Sequence, residues 1–141
     1  MSDLHIDDFC KDSAKILVAL YAKFPQKLIL YVEDIAGPDE PDEFGLHSPR
    51  HQACFNTMLW LAETDYISYV QPIRQEALES ATLTHRGFTF LTSRDTGNPP
   101  STYTAPLESR IEKIRLELRE GTSETLKQLM LEYFNLSRRF S

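Results

Sequence analysis

The chain has 141 residues, of which 41% are hydrophobic and 26% charged. This is enough for one domain with a single core, and the composition is too ordinary for a disordered or fibrous protein. The net charge of −6 is uneven, because residues 1–92 carry −7 and residues 93–141 carry +1. An acidic body repels polyanions at long range, which disfavours nucleic-acid binding unless a local basic patch opposes it.

The sequence also bears on the compartment. The N-terminus MSDLHIDDFCKD carries acids where a secretory signal carries bases, and no apolar run approaches the roughly 18 residues of a membrane span. We therefore expect a cytoplasmic protein with no membrane contact. Cys10 and Cys54 show no CxxC pattern, so we expect two buried free thiols and neither a disulfide nor a zinc framework.

The first predicted element is a helix over 9–23. Asp7 or Asp8 is expected to cap it, because a carboxylate accepts the free amides of a first turn. Apolar residues recur along it at spacings of three, four and seven, and Pro25 ends it. The run KLILYV (27–32) then predicts a short strand that leads into a small helix.

An acidic loop and a long helix come next. The segment PDEPDEFGLH (38–47) combines two prolines, a glycine and four acids, which favours an exposed loop. Ser48 followed by Pro49 predicts a helix start, because proline lacks only an amide that a first turn leaves unpaired. We expect this helix to reach about Thr64. Its inward face is predicted as Phe55, Met58, Leu59 and Ala62, with Arg50, Ala53, Thr57, Trp60 and Thr64 facing outward or sideways.

Two β-prone runs follow this helix. Residues 66–70 are rich in branched and aromatic side chains and end at Pro72, and residues 77–83 form a second run after the polar stretch QPIRQE. Together the two runs predict a hairpin. Thr84 then offers a hydroxyl cap for a short helix that folds back onto the core.

A linker rich in Gly, Pro, Ser and Thr over 93–105 precedes a C-terminal arm over 106–141. Pro106 opens a first helix, Gly121 ends or kinks it, and a second helix follows. Both helices carry an apolar face that needs a cover, which is either the chain's own domain or a second chain. We favour a homodimer, because two-fold dimers are the commonest oligomers. The predicted interface residues are Leu107, Ile111, Ile114, Leu118, Leu126, Leu129, Met130 and Phe134.

Two stretches carry a resemblance to a known family. They are FNTMLWLAETDYISYV (55–70) and ATLTHRGFTFL (81–91), where a strand runs into Leu83 and Thr84 with Gly87 three residues later. With the order helix, strand, helix, helix, hairpin, helix, residues 8–92 resemble the winged helix-turn-helix domain of bacterial transcriptional regulators. The resemblance implies an α+β, mostly α fold, in which a winged-helix domain (1–92) with a β-hairpin wing precedes the helical arm.

In DNA-binding winged helices the third helix enters the major groove with its first turns. The resemblance therefore implies DNA contacts by Arg50, His51, Gln52, Asn56, Thr57 and, on the wing, Arg74. Such side chains can read base edges or contact phosphates. Against this stand the acidic insertion before the third helix and the charge of residues 39–86, which include eight acids, three arginines and no lysine.

Other chemistry is less favoured. His47, His51 and Cys54 have the spacing H-x3-H-x2-C, a donor set that zinc accepts, but Pro49 interrupts the helix there and we expect no metal and no other cofactor. Trp60 is either a partner-binding anchor or, as we favour, part of the core. The sequence contains no P-loop, GxSxG, HExxH or GxGxxG motif, so we expect no catalytic residues and no enzyme.

Two functions fit these observations. The first is a dimeric winged-helix transcriptional regulator that binds DNA, and the family resemblance places it slightly ahead. The alternative is an acidic winged-helix interaction module that binds a basic protein partner and no DNA, which the charge of the first 92 residues favours.

Overall fold

The structure, a computed structural model, describes residues 4–94 and 109–138, with side chains through residue 136. Its elements are α1 (Leu4–Lys23), β1 (Leu28–Tyr31), α2 (Val32–Ala36), α3 (Pro49–Glu63), β2 (Ile67–Ser68), β3 (Gln71–Ile73), β4 (Ala77–Leu83), α4 (His85–Thr92), α5 (Arg110–Glu120) and α6 (Ser123–Arg138). The fold is α+β and mostly helical, as predicted, with a small antiparallel sheet. Most of the predicted linker, the helix start at Pro106 and the interface residue Leu107 lie outside the described residues.

Two helices begin at the hydroxyl caps that the sequence predicts. Ser48 Oγ accepts a hydrogen bond from the amide of His51 at 3.2 Å, and Pro49 occupies the first position of α3. Thr84 Oγ1 accepts from the amide of Gly87 at 3.0 Å and starts α4. A cap satisfies amides that the helix itself leaves free, so short sequence signals are sufficient to place both starts.

The first helix is longer than predicted. It begins at Leu4, so that Asp7 and Asp8 lie inside α1 and do not cap it. Its end at Lys23, two residues before Pro25, agrees with the prediction. Acids in the first turns still suit the positive end of the helix dipole, and this explains why they resemble a start signal.

The central strand of the sheet is β4, which pairs antiparallel with β1 on one side and with β2 and β3 on the other. The hairpin predicted for 66–83 is confirmed, with a tight turn at Arg74 and Gln75, whose φ angles are 51° and 67°. Two consecutive positive φ values match the twist of a hairpin. Pro72 does not end the strand, because it pairs with Leu78 inside β3, an edge strand that does not need the missing amide.

The predicted inward face of α3 is right only in part. Phe55 and Met58 are buried, but Leu59 and Ala62 are half-buried. Thr57 is 6% exposed and donates its hydroxyl to the carbonyl of Ala53, so the prediction that it faces outward is wrong. The physical reason is that α3 packs against both α1 and α2, which together cover more than one stripe of the helix.

Trp60 is half-buried and packs against the core, which agrees with the core position predicted for it. Its ring centroid lies 5.0 Å from that of Phe9 on α1 and 5.3 Å from that of Phe134 on α6, both in edge-to-face geometry. Tyr66 and Phe90 extend this aromatic cluster. The indole therefore joins the hairpin, the first helix and the C-terminal arm in a shared core.

Gly87 allows α4 to approach the end of the hairpin closely. A Cβ atom at this position would overlap the backbone carbonyl oxygen of Tyr66. The neighbouring backbone amide of Thr84 donates to the same carbonyl at 3.1 Å. Only glycine fits here without displacing the backbone.

The arm folds back onto its own chain, so the residues predicted for a homodimer interface pack within one chain, and the homodimer itself stays a prediction. Helices α5 and α6 pack on α1 and on each other. Ile111, Ile114, Leu126 and Met130 are at most 5% exposed, and Leu118, Leu129 and Phe134 are half-buried. Lys127 forms an ion pair with Asp7 at 3.1 Å across the α1–α6 contact. An amphipathic face needs a cover of any origin, and here α1 supplies it within the same chain.

Among the described helices, none combines the length and the apolar character of a bilayer-crossing segment. Both cysteines are buried free thiols, as predicted.

Candidate functional site

The acidic loop (residues 38–47) is held against the start of α3. Asp42 Oδ1 accepts hydrogen bonds from the amides of Phe44 and Leu46, both at 2.9 Å, which closes the loop on itself. Asp39 Oδ2 accepts from the amide of Ser48 at 3.2 Å. The loop that we expected to be a solvated insertion therefore has a defined shape beside the first turns of α3.

Three potential metal ligands converge where this loop meets α3. Asp39, His47 and His51 offer one ligand atom each, and these atoms lie within 4.8 Å of one another. Asp39 Oδ2 lies 3.0 Å from Nδ1 of His47 and 3.8 Å from Nδ1 of His51. The two imidazole rings are stacked, with centroids 3.8 Å apart. We call these three residues the histidine–aspartate cluster.

The hairpin turn lies on the Nε2 side of both rings, and Asp39 lies on the Nδ1 side. His51 Nε2 lies 2.9 Å from the carbonyl oxygen of Gln75, so this nitrogen carries the proton and donates it. In the neutral ring, that hydrogen bond leaves the lone pair of His51 on Nδ1. His47 Nε2 lies 3.6 Å from the carboxylate of Glu76. Both Nε2 atoms thus face acceptors of the hairpin, and both Nδ1 atoms face Asp39.

The charge state of Asp39 suits a ligand. Hydrogen bonds from Ser48 and from His47, with the nearby His51, lower the pKa of Asp39 against the opposing effect of desolvation. The carboxylate is therefore ionised at neutral pH.

Cys54 does not belong to the cluster, although its spacing from the histidines suggested zinc. Its thiol lies beside Asp12 and Arg50, and burial followed by the charge of Asp12 raises the pKa of Cys54 to about 12. Burial raises the pKa of Cys10 to about 11. Both thiols stay protonated at neutral pH and are poor ligands and poor nucleophiles. The third potential ligand is Asp39, which the spacing H-x3-H-x2-C does not include because Asp39 lies in the acidic loop and not on the helix.

The guanidinium of Arg50 is paired with acids of α1. It donates to both carboxylate oxygens of Asp12, at 2.7 and 2.6 Å, and lies 3.9 Å from Asp8. Asp12 is 1% exposed. The positive charge expected to contact DNA is therefore neutralised by α1.

The structure separates the six residues predicted to contact DNA. His51 and Thr57 are buried at 2% and 6% exposure, and Arg50 is paired with α1. Gln52 and Asn56 are exposed on α3 and, with Gln75 of the hairpin turn, line a pocket of about 170 Å³ whose other lining residues are His51, Phe55 and Leu59. Arg74 is exposed at the tip of the hairpin.

The acidic loop also exposes apolar side chains. Phe44 is 78% exposed and Leu46 is 61% exposed, directly after the exposed acids Asp42 and Glu43. Large apolar side chains at such exposure are characteristic of binding surfaces when they lie close together.

Searches of protein-family models, of characterised proteins and of solved structures find no match to this chain.

Proposed function

We propose that the chain is a non-catalytic interaction module of winged-helix architecture whose acidic loop binds a basic protein partner. The winged-helix part is supported by the element order, with β1 pairing to β4 and the β3–β4 hairpin directly after α3. The interaction part is supported by the surface around the start of α3. Here acids and apolar side chains are exposed, and the one arginine is neutralised.

The observation that carries this proposal is the state of Arg50. It is the only arginine or lysine of α3, and its guanidinium is bound to the buried Asp12. A DNA backbone needs several free cations, because each phosphate contact replaces condensed counterions. The acidic loop, which Asp39 joins to the start of α3 through the amide of Ser48, presents Glu40, Asp42 and Glu43 to solvent. The face therefore has the charge of a surface that attracts a cationic partner.

The loop also suggests the character of the partner. Phe44 and Leu46 project among the acids, so a partner that combines Lys or Arg with apolar side chains would bury both kinds of surface at once. The hydrogen bonds that Asp42 Oδ1 accepts from the amides of Phe44 and Leu46 hold the loop backbone in place before binding, which lowers the entropic cost of association. A short basic and amphipathic segment fits this description.

The experiment compares two synthetic peptides with equal positive charge, one with apolar residues on one helical face and one without. Binding to the full chain is followed by fluorescence anisotropy at several salt concentrations. The charge of the loop is changed with Glu40→Gln and Glu43→Gln, which spare Asp42, and its apolar part with Phe44→Ser. The matched control removes two exposed acids elsewhere, Glu63→Gln and Glu132→Gln.

We expect the amphipathic peptide to bind more tightly than the purely charged one, with affinity that falls as salt rises. The loop variants should weaken this binding at least about tenfold, a loss of about 1.4 kcal/mol. The control pair should change it much less. Equal affinity of the loop variants and the control would contradict the proposal, because net charge alone would then explain the binding.

A second candidate function is the DNA-binding regulator. It is favoured by one observation, the exposure of Gln52 and Asn56 on α3 together with Arg74 at the hairpin tip. It predicts salt-dependent binding to duplex DNA at about 50 mM salt, weakened by Gln52→Ala and Arg74→Ala. Tight duplex binding with that mutational pattern would replace the first proposal.

A further inference from the structure

The histidine–aspartate cluster brings together residues from more than one element of the fold. It unites the acidic loop, the first turn of α3 that follows this loop in sequence, and the more distant hairpin turn. His51 is 2% exposed, and the side chains of His47 and Asp39 are 11% and 12% exposed. The three donors are therefore shielded from solvent and held from several directions.

His51 gives an independent sign of a missing cation. Its Nδ1 is buried and has no hydrogen-bond partner among the described residues, and the nearest charged group is the carboxylate of Asp39. In a neutral ring that donates from Nε2 to Gln75, Nδ1 holds a lone pair that faces another acceptor. In a doubly protonated ring, Nδ1 would be a buried donor 3.8 Å from Asp39 Oδ2, which is too far for a hydrogen bond. An acceptor buried against an acceptor is unfavourable unless a positive group lies between them.

His47 presents the same conflict. If its Nδ1 carries the proton and donates to Asp39, its Nε2 turns a lone pair toward the carboxylate of Glu76. If Nε2 carries the proton, Nδ1 turns a lone pair toward Asp39. A doubly protonated His47 satisfies its own two neighbours and still leaves Nδ1 of His51 unpaired. A cation between the three donor atoms would give both Nδ1 lone pairs and the carboxylate of Asp39 a positive partner.

We propose that Asp39 Oδ2, His47 Nδ1 and His51 Nδ1 bind a divalent transition-metal ion, with zinc as the reference ion. Two imidazoles and a carboxylate are a donor set that zinc and its first-row neighbours accept. The carbonyl of Gln75 and the carboxylate of Glu76 lie on the Nε2 side of the rings. Metal-binding histidines commonly donate their other N–H to such acceptors, which fixes the ring orientation.

The distances are close to those of a metal site. Tetrahedral zinc with bonds of about 2.0–2.1 Å separates its donors by about 3.3 Å. Here Asp39 Oδ2 lies 3.0 Å from one Nδ1 and 3.8 Å from the other. Shifts of a few tenths of an ångström bring both contacts into range, and the two rings, whose planes now differ by 10°, must also tilt so that both Nδ1 lone pairs point at one ion. A bound ion would fasten the acidic loop to α3 and the hairpin, and this inference stands whether or not the loop binds a partner.

The decisive measurement uses the untagged full chain, freed of metal with a chelator and titrated with Zn²⁺. Isothermal titration calorimetry is expected to give one equivalent bound. Asp39→Asn and His47→Asn should each weaken binding at least about tenfold, the smallest loss typical of a disturbed metal site. His85→Asn, which removes an exposed histidine of α4, is the matched control and should bind like the wild type.

Imidazole ¹⁵N NMR of the wild type identifies the binding atoms and does not depend on the variants being folded. Zn²⁺ should shift the Nδ1 resonances of two histidines while their Nε2 atoms keep their protons. Absence of any shift, loss of the Nε2 protons on Zn²⁺ binding, or equal loss of affinity in His85→Asn and Asp39→Asn would each overturn the proposal.

Discussion

Asp12, buried on α1, accepts two hydrogen bonds from the guanidinium of Arg50 on the first turn of α3. This pair joins the first and third helices, and it neutralises the arginine at the start of α3, whose side chain is still partly exposed. The same side chain that the sequence suggested for DNA contact therefore serves the interior.

Removing Arg50 tests this role through stability. Arg50→Ala leaves the carboxylate of Asp12 buried without its partner, and we expect a loss of about 2–3 kcal/mol in the free energy of unfolding by urea. This expected loss is smaller than the roughly 3–5 kcal/mol typical of a fully buried ion pair, because the Arg50 side chain is 35% exposed. Arg119→Ala, at an exposed position of α5, should change stability by about 0.5 kcal/mol or less.

A second change separates the charge from the packing. Adding Asp12→Ala to Arg50→Ala should recover part of the loss, because the stranded carboxylate is then gone. Additive losses from the two substitutions would contradict the buried pair as the cause.

The close approach at Gly87 predicts a strong effect of one methyl group. Gly87→Ala places a Cβ against the carbonyl of Tyr66, and the backbone must shift at the junction of the hairpin and α4. We expect a destabilisation of about 1–3 kcal/mol in thermal or urea unfolding. Thr89→Ala, on the exposed side of the same helix, serves as the control, and an equal effect of both changes would rule out the steric explanation.

Because the arm folds onto its own chain, we expect its contribution to the stability of the protein to be independent of protein concentration. Ile114→Ala removes a fully buried side chain between α5 and α1, and we expect a loss of about 2–5 kcal/mol. Because these contacts are intramolecular, the thermal midpoint should stay constant when the protein is diluted. A midpoint that falls with dilution would support the dimer interface that we first predicted for this stripe.

The buried thiol of Cys54 predicts a loss of stability in alkaline solution. Its pKa is raised from 9.0 to about 12 in the folded protein, so above pH 9 the unfolded chain loses this proton first and unfolding becomes more favourable. The contribution is complete below pH 9 and is lost as pH rises toward 12, at up to about 1.4 kcal/mol per pH unit.

Comparison with Cys54→Ala isolates this thiol from the other groups that titrate in alkali. The variant should lose less stability than the wild type between pH 9 and pH 11, although the methyl side chain lowers its stability at neutral pH. Identical pH profiles would show that Cys54 is not the group responsible.

Local signals predicted much of the fold. The starts at Ser48 and Thr84, the end of α5 before Gly121 and the hairpin over 66–83 follow from caps, breakers and β-prone runs that act over a few residues. Such signals depend on the backbone's own unpaired groups, which are the same wherever the helix packs. Element type and order could therefore be read from the sequence.

The candidate site depended on contacts that no local pattern contains. Asp39 meets His47 and His51 because the acidic loop folds onto α3, and Gln75 reaches His51 because the hairpin lies against the same helix. The H-x3-H-x2-C spacing contained two of the three proposed ligands. It selected Cys54 as the third because spacing along one helix cannot account for a residue supplied by a loop.

The sequence by itself determined where helices and strands form and that the helices of the arm carry a face in need of cover. The tertiary structure decided what covers each face: α1 for the arm, and α1 with α2 for α3, with Arg50 drawn to a buried acid. The physical reason is that hydrophobic and ionic groups are satisfied by any suitable partner, while the three-dimensional path of the chain determines which partner lies within reach.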